Sequence, residues 1–130
     1  MGSARVIAQL VAKMPARVGL LADVAGGLRA ANVDIRAISA YERGEGTFLL
    51  VTDDNARASE VLSGMGAEVR ERSVLAVSMP DRPGALEEAA RRIAEAGINI
   101  DYAYGTTTSG AETATVILKT DDDEKAAGLL

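Results

Sequence analysis

One stretch of sequence occurs twice in this chain. Met14-Pro15-Ala16-Arg17-Val18-Gly19-Leu20-Leu21 aligns without gaps on Met79-Pro80-Asp81-Arg82-Pro83-Gly84-Ala85-Leu86. The same offset places Val33-Asp34-Ile35 on Ile98-Asn99-Ile100. Internal repetition on this scale predicts two copies of one structural unit. We expect the units to be residues 1–72 and 73–130.

Each copy alternates between strand-like and helix-like patterns. Short apolar or alternating runs predict strands, and apolar residues spaced three and four apart predict helices. The order in the first copy is strand, helix, strand, strand, helix, strand, which indicates an antiparallel four-stranded sheet with two helices on one face. The predicted fold class is therefore α+β, with two ferredoxin-like βαββαβ units. The predicted elements are strands at 6–12, 33–37, 47–52, 67–72, 74–79, 98–104 and 112–119, and helices at 16–31, 55–65, 87–96 and from 123.

The second copy ends before an equivalent of the strand at 67–72. An unfilled place at a sheet edge exposes backbone groups that can pair with another chain. Each unit is also shorter than about 70–80 residues, a size at which an isolated core gives little stability. These features predict that the units support each other and that the chain forms a homodimer.

Composition removes several classes of function. The 130 residues contain no Cys and no His, which excludes thiolate chemistry and the commonest general base and metal ligand. We therefore expect no catalysis, no metal and no cofactor. The net charge of −5 argues against capture of nucleic acid or of anionic membranes. No signal peptide is evident, and we expect a cytoplasmic protein.

The repeated stretch lies between a predicted strand and a predicted helix. Pro83 has a fixed φ suited to a helix start, and Gly84 lets another molecule approach the backbone closely. The amides of Gly84, Ala85 and Leu86 would have no partners within the helix. Such a helix start can hold a carboxylate. The alternative is a strand-to-helix turn with no ligand.

Two polar side chains could complete a site for an amino acid. Asp81 lies at the predicted helix start, and Asn99 lies at the start of the next strand. A carboxylate or an amide oxygen can accept hydrogen bonds from an ammonium group. The alternatives are that Asp81 caps the helix and that Asn99 is a turn residue.

The segment Asp81-Arg82-Pro83-Gly84-Ala85-Leu86, followed by Ala96-Gly97-Ile98-Asn99-Ile100, resembles the signature of the ACT domain. That family comprises small regulatory βαββαβ modules, in which an amino-acid effector binds where two modules meet. The resemblance is close in the second copy and loose in the first. It implies ligand-binding roles for Met79, Asp81, Gly84, Ala85, Leu86 and Asn99, and for the first-copy positions Met14, Ala16, Gly19, Leu20, Leu21 and Asp34.

The first copy departs from this pattern at three positions. Ala16 replaces Asp81, Val18 replaces Pro83, and Asp34 replaces Asn99. An acid at position 34 repels a carboxylate, so the second loop is expected to be the better site. The resemblance implies a regulatory module that binds a small amino acid or related metabolite and signals to a partner, such as a metabolic enzyme. The alternative is a detached regulatory or structural subunit, aspartokinase-like, that acts through protein contacts without its own ligand.

Overall fold

The computed structural model describes residues 3–107 and 109–130. It confirms the α+β class, the two βαββαβ repeats and their antiparallel strand pairing. Within the described residues, no helix combines the length and the hydropathy needed to span a membrane. The elements are β1 (Ala4–Met14), α1 (Leu20–Ala30), β2 (Ile35–Glu42), β3 (Gly46–Thr52), α2 (Asn55–Gly64), β4 (Glu68–Pro80), α3 (Ala85–Glu95), β5 (Ile100–Thr106), β6 (Thr113–Thr120) and α4 (Asp123–Ala127).

The first compact unit comprises Ala8–Arg72. Its strands follow the order β2-β3-β1, and each neighbouring pair is antiparallel. Alternate residues of β1 and β3 bury their side chains against the inner faces of α1 and α2. The largest fully buried side chains of this core are Leu10 and Leu50 on the strands and Leu28 and Leu62 on the helices.

The second compact unit comprises Ser73–Leu130 together with residues 3–7 from the start of the chain. Its strands follow the order β4-β6-β5, again antiparallel. The core lies between these strands and the inner face of α3. Its fully buried members include Leu75, Ile93 and Leu118.

The N-terminal segment corrects the expectation of an open edge in the second unit. No strand follows α4 in the described chain, as predicted. However, Ala4 and Val6 pack against the second core, and the Ser78 amide donates a hydrogen bond of 2.8 Å to the Ser3 carbonyl. The start of β1 thus supplies the apolar side chains that the missing strand would provide. The argument for a homodimer from an unfilled edge was therefore wrong.

In the first turns of α1 and α3 the buried residue differs from the predicted one. Helical spacing with the apolar residues that follow predicts Leu21 and Leu86 on the buried face, but they are 53% and 51% exposed. Leu20 and Ala85 are buried instead, at 7% and 3% exposure. Helix α1 begins at Leu20, later than the predicted residue 16, whereas α3 begins at Ala85, earlier than the predicted residue 87. A glycine immediately precedes each helix.

The two units fill the same position in the core in different ways. In the first unit, a Cβ on Gly46 would lie only 2.6 Å from the Leu20 Cδ2 atom. At the aligned positions the second unit has Ala114 and Ala85, both buried. Gly46 pairs with Met14 as Ala114 pairs with Met79, so the positions are structurally equivalent. The first unit thus fills this position with Leu20 against a glycine, and the second unit fills it with two alanines.

Candidate functional site

The repeated loops form the N-termini of α1 and α3. Gly19 and Gly84 are the residues immediately before these helices, with φ of 83° and 88°, and no side chain caps either helix. This left-handed conformation suits glycine, which has no Cβ. Asp81 lies in the loop but does not cap α3, and its own amide donates to the Glu112 carbonyl at 2.9 Å. The alternative of an Asp81 cap is therefore wrong.

One of the three predicted free amides has a protein partner. The Ala85 amide donates to the Arg82 carbonyl at 3.3 Å, and the equivalent Leu20 amide donates to the Arg17 carbonyl at 3.2 Å. Within the described residues, the amides of Gly84 and Leu86 have no such acceptor. A Cβ built on Gly84 would meet no atom within 4 Å. The loop therefore leaves two donors and open space in front of its glycine.

An arginine lies beside each loop. Arg82 pairs with Glu88 at 3.1 Å, and Arg17 pairs with Asp23 in the equivalent position. These side chains are exposed, so each pair contributes little to stability. Each pair holds a guanidinium group near the helix start, and the carboxylate of Glu88 or Asp23 offsets its charge there.

An open groove of about 550 Å³ adjoins the first loop. Leu20 and Leu21 line it from α1, and Ala16 lines it from the loop. Its opposite wall comes from the end of β2 and the start of β3, so the groove lies wholly within the first unit. The remaining lining residues are Arg17, Val18, Ala40, Tyr41, Glu42, Gly46 and Phe48. Met14 is buried beneath this region and pairs with Gly46.

Asn99 does not join the loop within the second unit. It lies at the other end of α3, which has 11 residues and so a length of about 16 Å. There the Asn99 Nδ2 donates to the Asp101 carboxylate at 2.9 Å, and the Asn99 amide donates to Asp121 at 3.3 Å. The predicted pairing of Asn99 with Asp81 around one ligand is therefore not formed by this unit alone.

Asp34 occupies the equivalent place in the first unit. Its carboxylate accepts a hydrogen bond from the Arg36 Nε at 2.9 Å, and its amide donates to Asp53 at 2.9 Å. A second groove of about 440 Å³ lies here, lined by Asp34, Asp53 and Arg29 among others. Like Asn99, Asp34 lies at the far end of its helix from the glycine loop.

A buried polar cluster in the second unit was not foreseen as such. The Asp123 carboxylate accepts hydrogen bonds from the Ser73 Oγ at 2.5 Å, the Thr120 Oγ1 at 2.6 Å and the Lys119 Nζ at 2.9 Å. Burial raises the pKa of Asp123, but these hydrogen bonds outweigh it and hold the pKa below its usual value. The acidic residues Asp121-Asp122-Asp123-Glu124 predict only a helix start, with Thr120 as its cap. In the structure Asp122 is the cap instead.

Two tyrosines of β5 stack on each other. The ring centroids of Tyr102 and Tyr104 are 6.5 Å apart, and the ring planes differ by 19°. Burial raises the pKa of Tyr104 well above its usual value, and the neighbouring Tyr102 raises it further. The Tyr104 phenol thus stays neutral near pH 7, and the two stacked rings act here as packing residues.

Residues 73–129 match the family model of the ACT domain. The second unit is therefore similar to the ACT domain. The matched segment includes the loop with Gly84. An aspartokinase of Corynebacterium efficiens is 35% identical over 74 residues, which is 56% of this chain and 18% of that protein. The chain therefore spans less than a fifth of that relative's length.

Solved structures share the fold over nearly the whole chain. A protein from Bacteroides thetaiotaomicron superposes with a TM-score of 0.88 at 24% identity, covering 98% of this chain and 88% of its own. The ligand-free regulatory subunit of aspartate kinase from Thermus thermophilus gives a TM-score of 0.69 at 18% identity, covering 96% and 94%. The chain therefore has the fold of aspartate kinase regulatory subunits.

Proposed function

We propose that this protein is a non-catalytic, cytoplasmic regulatory module that binds a small amino acid or a related metabolite and signals to a metabolic enzyme or regulator. The observation that carries the proposal is the open glycine turn at the start of α3. Gly84 and Leu86 offer amides to a carboxylate, and no described atom occupies the space where a Cβ of residue 84 would lie.

The chemistry of the loop suits a zwitterion. The amides attract the carboxylate of the ligand through their partial positive charge. The exposed Arg82 can bind it as well by exchanging its partner Glu88 for the ligand. Asp81 is exposed in the same loop and can accept hydrogen bonds from the ammonium group. Asn99 lies at the far end of α3 and cannot reach the loop of its own unit. It could contact the ligand only at the loop of another module.

Regulation would follow from a difference in affinity between two conformations. A ligand shifts an equilibrium only by the difference between its binding free energies to the two states. An amino acid held at the loop would stabilise the conformation in which its amides are free. A partner protein that prefers this conformation would then bind more tightly.

A thermal-shift screen of amino acids tests the proposal. At a ligand concentration of 100 times Kd, binding adds about 2.7 kcal/mol to the free energy of unfolding. We expect one or a few amino acids to raise the Tm by several degrees. A screen in which no amino acid changes the Tm at millimolar concentration contradicts the proposal.

The loop is tested with matched variants. Gly84→Ile should abolish the shift caused by the ligand, because its side chain occupies the ligand's space. Gly19→Ile introduces the same backbone strain in the first unit, and it should retain the shift. Loss of the shift in Gly19→Ile alone would assign the ligand to the first loop instead.

A second candidate is a regulatory subunit that acts through protein contacts without its own ligand. The aspartokinase relative and the exposed apolar side chains of Val18 and Leu21 favour it. The test is to add the purified protein to the catalytic domain of an aspartokinase without free amino acids other than the substrate. A change in kinase activity that saturates at equimolar protein supports this candidate, and an unchanged activity rejects it for that enzyme.

A further inference from the structure

The groove beside the first loop has an acid on its sheet wall. Met14, Gly46 and Glu42 lie in one row across β1, β3 and β2. Side chains that face each other across antiparallel strands lie on the same side of the sheet. Glu42 therefore lies on the side where Met14 is buried in the core with α1. Within the described residues, the Glu42 carboxylate has no hydrogen-bond or ion-pair partner.

Helix α1 begins directly over this row. A Cβ on Gly46 would lie 2.6 Å from the Leu20 Cδ2, so the first residue of α1 packs on Gly46. The Cα atoms of paired residues such as Glu42 and Gly46 are about 4.5–5.5 Å apart. Glu42 is therefore one strand spacing from the residue on which α1 begins. Glu42, Gly46 and Leu20 all line the groove of about 550 Å³.

The first loop offers hydrogen-bond donors beside the groove. The Leu20 amide donates to the Arg17 carbonyl, but the amides of Gly19 and Leu21 have no acceptor within the part of the chain that the structure describes. Amides at a helix start carry partial positive charge and suit a carboxylate. The groove thus has donors at its helix wall and an unpaired acid at its sheet wall.

Exposed apolar side chains form much of the remaining lining. Val18 is fully exposed, and Leu21 and Tyr41 are half exposed. A ligand with an apolar body would remove this surface from water. The groove volume of about 550 Å³ lies within the range of small-molecule sites, about 300–1,000 Å³. The donors, the apolar surface and the acid match the carboxylate, the side chain and the ammonium group of an apolar amino acid.

The second unit has its acid in a different place. Its loop contains the exposed Asp81, where the first loop has Ala16. The pairing of β5 with β6 ends at Thr106, one row before the position equivalent to Glu42, and the next residue in the sequence is Thr107. Each unit thus has one exposed carboxylate near its glycine loop. The loop supplies it in the second unit, and the sheet supplies it in the first.

We propose that the groove of the first unit is a second binding site, specific for an amino acid with a large apolar side chain, in which Glu42 binds the ammonium group. Because this site rests on the proposed function, it also requires that a glycine loop binds the carboxylate of an amino acid. It differs from the site at Gly84 in the origin of its acid and in the apolar surface that selects the side chain of the ligand.

Calorimetric titration of the Gly84→Ile chain with L-leucine isolates this groove, because the new side chain blocks the second loop. We expect one L-leucine to bind per chain, and free glycine to bind about tenfold or more weakly, because it has no apolar side chain. No binding of L-leucine at millimolar concentration, or equal affinity for both ligands, overturns this site. The proposed function still stands if the wild type binds any amino acid, and it fails together with this site if the wild type binds none.

Glu42→Gln tests the contact with the ammonium group. It should raise the Kd for L-leucine about tenfold or more, because a charged hydrogen bond is lost. It should not weaken the binding of isocaproate, which is leucine without its ammonium group. Glu45→Gln removes the same charge from an exposed residue of the same hairpin outside the groove, and it should change neither Kd. Equal effects of the two variants on L-leucine, or equal weakening of both ligands by Glu42→Gln, overturn the role of Glu42. The same comparison with Gly84 intact keeps the test valid if Gly84→Ile unfolds.

Filling the groove gives a readout that does not depend on charge. Ala40 is exposed, lines the groove and lies on the same side of β2 as Glu42. Ala40→Phe should therefore abolish the binding of L-leucine. Ala22→Phe, exposed on α1 outside the groove, is the matched control and should bind L-leucine as before. Thermal unfolding checks that both variants fold, and unchanged binding in a folded Ala40→Phe chain overturns the proposal.

Discussion

The two units use one geometry with different chemistry at the start of their second helices. In the first, Thr52 donates through its amide and its Oγ1 to the Asn55 Oδ1, at 3.1 and 2.7 Å. In the second, Thr120 makes the same two contacts to the Asp123 Oδ1, at 3.1 and 2.6 Å. The remaining polar atom of each side chain, Nδ2 of Asn55 or Oδ2 of Asp123, has different surroundings in the two units.

That second atom shows why one unit uses an amide and the other a carboxylate. The Asn55 Nδ2 donates to the Ala8 carbonyl at 3.1 Å, so a donor is required there. The Asp123 Oδ2 accepts from Ser73 and Lys119, so an acceptor is required there. A duplicated fold can thus keep its backbone geometry while each copy satisfies its own buried polar groups.

Exchanging the amide and the carboxylate between these two positions should have the largest effects on the free energy of unfolding. Asp123→Asn should lower the free energy of unfolding by about 3 kcal/mol, because it leaves the largely buried Lys119 without its counter-ion. Asn55→Asp should cost about 2 kcal/mol, since its carboxylate would face the Ala8 carbonyl. Urea denaturation measures both. A loss under 0.5 kcal/mol in both variants would show that the surroundings do not select the side chain.

Acid should affect the second unit through Asp123. Its pKa is lower in the folded state than in the unfolded state, so its contribution to stability is complete above its ordinary value of 3.8 and is lost as pH falls below it. The stability difference between wild type and Asp123→Asn should therefore narrow below about pH 4. Urea denaturation from pH 3 to 7 tests this, and a difference independent of pH contradicts it.

The packing difference at the start of β3 and β6 gives the next effect. Gly46→Ala should cost about 2 kcal/mol, because the new methyl group overlaps Leu20. Adding Leu20→Ala recreates the Ala85 and Ala114 arrangement of the second unit and should recover part of that loss. Chemical denaturation of the single and double variants measures the coupling. Strictly additive losses would show that the two positions do not compensate each other.

The glycine loops should respond alike despite their different sequences. Gly84→Ala and Gly19→Ala should each cost about 1–2 kcal/mol from left-handed backbone strain, as neither Cβ meets another atom. Asn at either position should cost less, because Asn tolerates this conformation better. Thermal unfolding distinguishes the variants, and equal losses for Ala and Asn would point to a cause other than φ.

The smallest effect concerns α1, which has Gly26 and Gly27 where α3 has Arg91 and Arg92. Gly26→Ala should stabilise by about 0.5–1 kcal/mol, because its Cβ meets no atom within 4 Å. Gly27→Ala should gain less, since its Cβ would lie 3.3 Å from Met65 and Val61 side-chain atoms. A larger gain at Gly27 in thermal unfolding would contradict this packing.

The repeat made the fold predictable, because a weak helix or strand pattern in one copy is supported by the aligned pattern in the other. Three features depended on information that local patterns lack. The register of α1 and α3 follows from the glycine conformation, which decides that Leu20 and Ala85 point inward rather than Leu21 and Leu86. Predicted strands at 67–72 and 74–79 form one strand, Glu68–Pro80. The packing of Val6 in the second core is a contact between distant parts of the chain.

The candidate site was predictable in part. The sequence indicated the glycine turn, whose geometry is local, but not that Ala85 would donate to Arg82. That Asn99 lies at the opposite end of α3 from Gly84 follows from the sequence itself, since the two residues flank the predicted helix at 87–96. The roles of the twelve proposed residues in ligand binding remain predictions for the experiments above.

The contribution of Ala4 and Val6 to the second core bears on biosynthesis. During translation these residues are made well before Ser73–Leu130, at about 5–20 residues per second. They therefore remain without their packing partners for several seconds, until Ser73–Leu130 has left the ribosome. A fragment of residues 73–130 made alone would lack them, and supplying residues 3–7 as a separate peptide should help that fragment to fold.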